Sequence, residues 1–246
     1  MRINRFALAV LAVVSSLTVL VIPIAGRQSS SEDRGRQVQC EALLDMPNLT
    51  ITRAVSKPAS GSTPAYCYVQ GTIDSRIRFH MQLPLHGNWN GRLLNIGDGG
   101  KDGVLNFADR RLAQGYAVAN SNTGHDSGAE PRASFAHDDL DAMIDFGHRA
   151  VHLTAIASKT LVQYFYGRPA AHTYFEGCST GGRQGLMEAQ RYPADYDGII
   201  AGAPVNARVH QMIWELWVAL PSDLDAHPSN IRSSTNTAAH YRRTLE

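Results

Sequence analysis

The residues best suited to chemistry in this sequence form one short segment, Gly177-Cys178-Ser179-Thr180-Gly181. It fits the G-x-S-x-G pattern, in which a serine lies on a sharp turn between a strand and a helix. The serine backbone is strained there, and side chains two positions away would collide, so Gly177 and Gly181 meet a steric need. Free N–H groups at the helix N-terminus favour developing negative charge. We predict that Ser179 is the nucleophile of an acyl transfer and that the Thr180 N–H is an oxyanion donor; the alternative is a glycine-rich turn that only joins strand to helix.

A second oxyanion donor normally comes from a loop that follows an earlier strand. The loop Gly97-Asp98-Gly99-Gly100 follows the apolar run Leu93 to Ile96 and presents a backbone almost without side chains. We predict that the Gly100 N–H is this donor, with the Gly99 N–H nearly as well suited; the alternative is a tight loop without a catalytic part. His125 is expected to order another loop after its own strand rather than to act in catalysis.

Two segments imitate metal sites without fulfilling them. The stretch from Asp98 to Asp109 resembles a calcium loop, but glycine stands at the third ligand position and Asp replaces the final bidentate Glu. His148 and His152 are four residues apart on a predicted helix, yet Arg149 stands where a zinc motif has Glu, and no third ligand is evident. We therefore predict no metal at either segment, and a packed histidine pair at the second.

The nucleophile motif needs a strand–helix–strand unit to position it. Thr173 to Phe175 reads as a strand, Thr180 to Tyr192 as a helix and Gly198 to Ala201 as an apolar strand, which is typical of a parallel sheet. A long helix is predicted over Asp141 to Tyr166, where Gly167 can cap its end. Ile77 to Pro84 alternates apolar and polar residues, which predicts a half-buried strand. Further strands are predicted at Tyr66–Ile73, Leu93–Ile96 and Tyr116–Ala119, and a further helix over residues 206–220.

These elements predict an α/β protein with a mixed, mainly parallel sheet and helices on both faces. The chain of 246 residues is long enough for one large domain, or for one domain and part of another. Its 23 basic and 22 acidic residues give a formal net charge of +1, so nothing indicates a nucleic acid or an anionic membrane as partner.

The N-terminal residues differ from the rest in composition. Arg2 and Arg5 precede an apolar run from Phe6 to Ile22, and small residues follow it, which is typical of a secretory signal peptide over residues 1–26. The run is also long enough to be an uncleaved membrane anchor. In either case export is expected, to a secreted or periplasmic location, with residues 27–39 as a flexible leader.

Export makes the three cysteines candidates for disulfides before metal ligands. Three is an odd number. If Cys40 pairs with Cys67, then Cys178 has no partner within this chain.

The segment from Gly177 to Pro193, followed by Asp197 to Pro204, resembles the tannase and feruloyl esterase family. The resemblance continues in Asp145 to His152, in Thr123-Gly124-His125, in Trp89 to Arg92 and at Cys40, so that it covers roughly residues 40–205. It implies an α/β-hydrolase fold, with Ser179 as nucleophile and the Thr180 and Gly100 amides as the oxyanion hole. It further implies that the substrate is a small ester of an aromatic hydroxy acid, of the gallate or ferulate type.

The resemblance also implies a disulfide partner, a lid domain and two further catalytic residues that cannot be identified in this sequence. In the family, Cys178 would be half of a disulfide to a cysteine beside the catalytic histidine, and a lid domain, which often binds calcium, would precede that histidine and the acid. Residues 206–246 would be the beginning of the lid, so we expect residues 40–205 to be an incomplete catalytic domain without acid, histidine or cofactor. The later candidates for a base or acid are not expected to complete a triad: His210, Asp223, Asp225, His227 and His240. The expected function is that of a serine ester hydrolase, inactive by itself, and the alternative is an inactive remnant or a ligand-binding protein.

Overall fold

A computed structural model describes residues 38–85, 87–130 and 133–224. Its centre is a seven-stranded sheet in the order β1-β2-β3-β5-β4-β6-β7. The strands are β1 (Thr50–Lys57), β2 (Tyr66–Ile73), β3 (Ile77–Pro84), β4 (Arg92–Ile96), β5 (Ala117–Ser121), β6 (His172–Cys178) and β7 (Gly198–Gly202). The helices are α1 (Asp109–Ala113), α2 (Leu140–Ile144), α3 (Ala150–Tyr166), α4 (Thr180–Arg191) and α5 (Arg208–Leu224), with short 3-10 turns at Cys40–Asp45 and Ser134–Ala136. The predicted signal peptide (residues 1–26) and residues 27–37 of the predicted leader (27–39) lie outside the described residues.

The sheet is antiparallel at its N-terminal side and parallel at its C-terminal side. Strands β1, β2 and β3 pair antiparallel in sequence order, and β3 also pairs antiparallel with β5. Strands β5, β4, β6 and β7 are parallel neighbours. The mixed, mainly parallel architecture of the prediction is therefore confirmed, with β1 as a strand that the sequence analysis did not include.

The prediction of a half-buried β3 was wrong, because all of its residues except Arg78 are buried. Phe79 and Met81 face the core that α3 covers. On the opposite face, the His80 Nε2 atom lies 2.8 Å from the Asn106 carbonyl oxygen, and the Gln82 Nε2 atom donates to Asp109 Oδ1 at 2.8 Å. Residues 106–109 thus cover the polar face and bind His80 Nε2 and Gln82 Nε2, which the local alternation could not reveal.

The long helix contains a π turn in place of the uninterrupted α-helix that was predicted. Asp139 caps α2, with Oδ1 accepting from the Ala142 N–H at 2.9 Å. A π turn over Asp145–Arg149 then leads directly into α3. The helix ends as expected, because Gly167 adopts a left-handed φ of 67° after Tyr166.

The structure joins Cys40 and Cys67 by a disulfide, as the sequence suggested, and leaves Cys178 as an exposed free thiol. The bond ties the first 3-10 turn to β2, across a separation of 27 residues. Among the described helices, none has the length and apolar character needed to cross a membrane. Helix α5 exposes large apolar side chains, which include Val209, Ile213, Trp214, Leu216 and Trp217.

Candidate active site

Ser179 lies between the end of β6 and the first residue of α4, on a sharply turned backbone with φ 60° and ψ −117°. These angles belong to a region that residues with a side chain rarely adopt. The turn is held on both sides, because the Ser179 N–H donates to the Gly202 carbonyl at 3.0 Å and the Ser179 carbonyl accepts from the Val205 N–H at 3.2 Å. Strand β7 and the residues after it therefore hold the strained serine in place.

The glycines around the serine are required by close backbone contacts. A Cβ atom on Gly177 would lie 2.5 Å from the carbonyl carbon and oxygen of Gly181, and one on Gly181 would lie 2.9 Å from the Asp98 carbonyl oxygen. A Cβ atom on Gly182 would lie 2.2 Å from the Gly202 carbonyl oxygen. At Gly177 and at Gly181 a side chain would therefore collide with an identified backbone atom, as the sequence suggested. The same is true of Gly182.

The glycine-rich loop after β4 is joined to the serine turn by one short hydrogen bond. The Thr180 hydroxyl, which is buried, donates to the Gly100 carbonyl oxygen at 2.6 Å. The Gly99 N–H donates to Asp98 Oδ1 at 2.9 Å and is therefore engaged. Neither the Gly100 nor the Thr180 N–H has a hydrogen-bond acceptor among the described residues. Of the two predicted alternatives, the geometry favours Gly100 over Gly99.

A buried acid supports this loop from behind, and the sequence analysis did not identify it. The Asp102 side chain is only 5% exposed and accepts a hydrogen bond from Gln184 Nε2 on α4 at 2.7 Å. Burial, followed by the neighbouring charge of Asp98, raises the pKa of Asp102 to about 8. Asp98 accepts hydrogen bonds from the loop, and Asp109 accepts one from Gln82. Each acid of the calcium-like segment thus accepts at least one protein hydrogen bond, whereas Asp98 Oδ2 and Asp102 Oδ1 are buried without a partner among the described residues.

Arg183 links the first turns of α4 to the π turn. Its guanidinium donates to the Gly147 carbonyl at 2.8 Å and to the Phe146 carbonyl at 2.9 Å, and it lies 5.0 Å from the centre of the Phe146 ring. Burial lowers the pKa of Arg183. These contacts fix the orientation of α4 relative to the π turn, and with it the position of the serine turn at the start of α4.

His125, His148 and His152 each contact side chains other than Ser179. His125 is buried, stacks on Phe135 with ring centres 3.8 Å apart, and packs so closely under Gly103 that a Cβ there would be 2.7 Å from its Nε2. His148 Nδ1 lies 2.7 Å from the Tyr192 hydroxyl, whereas His152 Nδ1 lies 2.6 Å from Asp195 Oδ2. The last two rings therefore have different hydrogen-bond partners, although His152 also stacks on the Tyr192 ring with ring centres 3.8 Å apart.

No described residue forms a hydrogen bond with the Ser179 hydroxyl. Beside the serine turn, a groove of about 390 Å³ opens at the carboxyl ends of β4, β6 and β7, between Gly97, Gly177 and Gly202. Its polar side holds Glu176, whose carboxylate forms two hydrogen bonds with the Arg111 guanidinium. Asp225, His227 and His240, which were considered as triad partners, lie outside the described residues.

The sequence of the chain also matches a known protein family. The model of the family described as "Tannase and feruloyl esterase" matches residues 62–234. The chain belongs to this family. The resemblance seen in the sequence is therefore confirmed, and the α/β-hydrolase fold with it.

Curated relatives of the chain include fungal proteins that are named as feruloyl esterases. The chain is 42% identical to a probable feruloyl esterase B-2 of Aspergillus flavus, over 56% of this chain and 26% of that protein. It is 31% identical to feruloyl esterase B of Aspergillus niger, over 89% of this chain and 46% of that protein. The crystal structure of feruloyl esterase B from Aspergillus oryzae superposes with a TM-score of 0.57 at 29% identity, over 68% of this chain and 36% of that one. The chain thus spans less than half the length of these relatives.

Proposed function

We propose that this chain carries the nucleophile and the oxyanion hole of a serine carboxylic ester hydrolase. The strained Ser179 turn, joined to the Gly100 loop by the Thr180 hydroxyl, is the observation that carries this proposal. The names of the relatives, which are feruloyl esterases, support an ester of an aromatic hydroxy acid as substrate, of the ferulate or gallate type.

In the proposed reaction the Ser179 oxygen attacks the ester carbonyl carbon and gives a tetrahedral intermediate. The negative charge develops on the former carbonyl oxygen, which the Thr180 and Gly100 N–H groups would receive. The ester C–O bond then breaks, and the leaving alcohol takes up the proton that the Ser179 hydroxyl has lost. An acyl-Ser179 ester remains. Water hydrolyses this ester to the free acid and restores the hydroxyl.

The proposal assigns no general base within the described residues. A serine hydroxyl without base and orienting acid is a poor nucleophile at neutral pH, and loss of such partners costs about 10⁴–10⁶ in rate in other hydrolases. We accordingly propose that acid and histidine are supplied by a segment that corresponds to later parts of the relatives. In the same proposal Cys178 forms a disulfide with a cysteine of that segment.

Export is part of the proposal, to a secreted or periplasmic location. The basic and apolar pattern of residues 1–26 supports it, and so does the Cys40–Cys67 disulfide, since such bonds persist in oxidising compartments.

The test combines trapping with turnover. A complete version, in which the chain is joined to the segment that supplies acid and histidine, is incubated with a fluorophosphonate, and the modified residue is located by peptide mass spectrometry. Hydrolysis of methyl ferulate and methyl gallate is followed in parallel, and the chain alone should show neither reaction at a comparable rate. We expect adduct only on Ser179, none in Ser179→Ala, and unchanged labelling in Ser75→Ala. Ser75 is a fair control because it is an exposed serine that also has a φ of 60°. Labelling of another residue would overturn the assignment.

The unpartnered Ser179 hydroxyl favours one second candidate, a secreted protein that binds an aromatic ligand without turnover. The two candidates separate on the same complete version, once its fold is verified by circular dichroism. Ester hydrolysis that Ser179→Ala abolishes excludes the second candidate. Saturable ferulate binding without adduct or hydrolysis supports it.

A further inference from the structure

A second polar cluster lies on the same helix as the nucleophile turn but at its other end. Glu188 on α4, His152 on α3 and Asp195 in the turn before β7 each bring one ligand-type atom into the same small region. These three atoms lie within 4.8 Å of one another. Glu188 is nine residues beyond Ser179, which is about 13 Å along an α-helix. The cluster is therefore separate from the candidate active site.

Glu188 is the least satisfied member of the cluster. Its side chain is 0% exposed, and neither carboxylate oxygen has a hydrogen-bond donor among the described residues. Burial, followed by the charge of Asp195 and by a hydrogen bond with the Asp195 carboxylate, raises the pKa of Glu188 to about 8. A buried carboxylate without a partner is costly, so the fold either neutralises it with a proton or compensates it with a cation.

The other two side chains are held in fixed orientations. His152 Nδ1 lies 2.6 Å from Asp195 Oδ2, and the imidazole ring stacks on Tyr192 with ring centres 3.8 Å apart. The Tyr192 hydroxyl is itself bound to His148. A ligand set whose rings and carboxylates are oriented by neighbours is typical of metal centres in proteins.

The nearby positive charge does not compensate two carboxylates. Lys159 is the basic residue whose charge acts on Glu188, but its ammonium group donates to the Ala194 carbonyl at 3.4 Å rather than to either acid. One imidazole nitrogen and two carboxylate oxygens are the donors that Zn²⁺ accepts, at about 2.0–2.2 Å. Ligands at this distance from a tetrahedral ion lie about 3.3–3.6 Å from one another. Atoms up to 4.8 Å apart would therefore have to approach by up to about 1.5 Å when the ion binds.

We propose that His152, Glu188 and Asp195 bind a divalent transition-metal ion, with Zn²⁺ as the matching type. The ion would join α3, α4 and the turn that leads into β7, and so brace the sheet behind the nucleophile turn. This departs from the expectation of no metal that the sequence gave, because the ligands come from three separate segments. His148, the other histidine of the helical pair, is not a ligand.

The experiment is a titration of the chelator-treated chain with Zn²⁺, followed by calorimetry and by thermal unfolding. We expect one ion per chain and a rise in Tm of roughly 5–10 °C at 100 times the Kd. Co²⁺ as a substitute should show the visible absorption of a low-symmetry nitrogen–oxygen site. Glu188→Gln and Asp195→Asn should each weaken Zn²⁺ binding more than about 100-fold, since ligand loss exceeds the effect of losing a supporting residue.

Asp197→Asn is the matched control, because Asp197 and His172 form a similar pair, 4.0 Å apart and exposed, without a third acid. It should bind Zn²⁺ like the original chain. Glu188→Gln should fold and have a higher Tm than the metal-free original, so its loss of binding cannot be attributed to unfolding. Binding that survives in Glu188→Gln, or absence of binding to the original chain, would overturn the proposal and leave Glu188 as a protonated acid. None of these readouts depends on ester hydrolysis.

Discussion

The strain at Ser179 can be measured by comparing glycine and alanine at this position. Both variants lack the hydroxyl, so they differ only in backbone preference. At φ 60° and ψ −117° a residue with a Cβ pays about 1–3 kcal/mol relative to a relaxed conformation, which glycine avoids. Glycine loses about 0.4–1 kcal/mol through the greater freedom of the unfolded chain. Ser179→Gly should therefore be more stable than Ser179→Ala by roughly 0.5–2 kcal/mol.

For a domain of this size the difference corresponds to about 1–8 °C in Tm, which differential scanning calorimetry resolves. Thr160 provides the control, because it is exposed in the interior of α3 and has helical geometry. There the glycine variant should be less stable than the alanine variant by about 1 kcal/mol, so the sign is opposite. If glycine is destabilising at Ser179 by the same amount as at Thr160, the serine backbone is unstrained and the argument for a nucleophile turn is refuted.

Three further predictions concern the surroundings of the turn. Gly177→Ala should lower Tm strongly, by about 10 °C or more, because its Cβ would meet the next backbone turn at 2.5 Å, whereas Gly99→Ala, with open space around it, should change Tm by less than about 2 °C. Cys67→Ser should lower the free energy of unfolding by about 3–4 kcal/mol in denaturant titrations, since the disulfide closes a loop with a separation of 27 residues. In chelator, Glu188→Gln should gain stability over the original chain as pH rises from 5 to 8, by up to a few kcal/mol.

The sign of the last prediction follows from the raised pKa of Glu188, about 8 when folded. Below pH 4 the acid is protonated in both states and contributes no difference. As pH rises, the unfolded chain ionises first, so the folded state loses stability until the pH passes the folded pKa. Asp195 adds to this effect by its charge, and Lys159 opposes it. A difference between the two proteins that stays constant from pH 5 to 8 would contradict a buried, proton-binding Glu188.

Two results would contradict the other predictions in that group. Equal Tm values for Gly177→Ala and Gly99→Ala would show that the backbone contact with Gly181 can relax. For the disulfide, the reduced original chain serves as control, and it should match Cys67→Ser in stability. A reduced chain as stable as the oxidised one would show that the bond closes a loop that is already ordered.

The local motif around Ser179 was predictable because its requirements are local. Gly177 and Gly181 report a close backbone contact, and the flanking apolar strand and helix can be read from their own residues. The burial of His80 and Gln82 was not predictable, since it depends on residues 106–109, which are distant in sequence. Strand β1 was missed because its exposed residues, such as Thr50, Thr52 and Arg53, give it little apolar signal.

The polar residues behind the glycine-rich loop after β4 were missed for a related reason. Gln184 and Asp102 look like ordinary polar residues in the sequence, and only the packing of α4 against the loop brings them together. Arg183 likewise gains its meaning from the carbonyl groups of the π turn. Polar residues that are buried by tertiary contacts leave no recognisable pattern in the sequence. Glycines in a tight turn, in contrast, form a short motif that can be recognised.

A π turn contains one residue more than the α-helical turn that it replaces, and one residue corresponds to about 100° of rotation about the helix axis. The extra residue at Asp145–Arg149 therefore sets the angular phase between α2 and α3. Deleting one residue there would turn α2, together with the Phe135 segment that stacks on His125, around that axis. It would also withdraw the two carbonyl groups that bind Arg183. The number of residues between Asp139 and Ala150 thus matters as much as their identity, and insertions or deletions in this helix should be tolerated less well than substitutions.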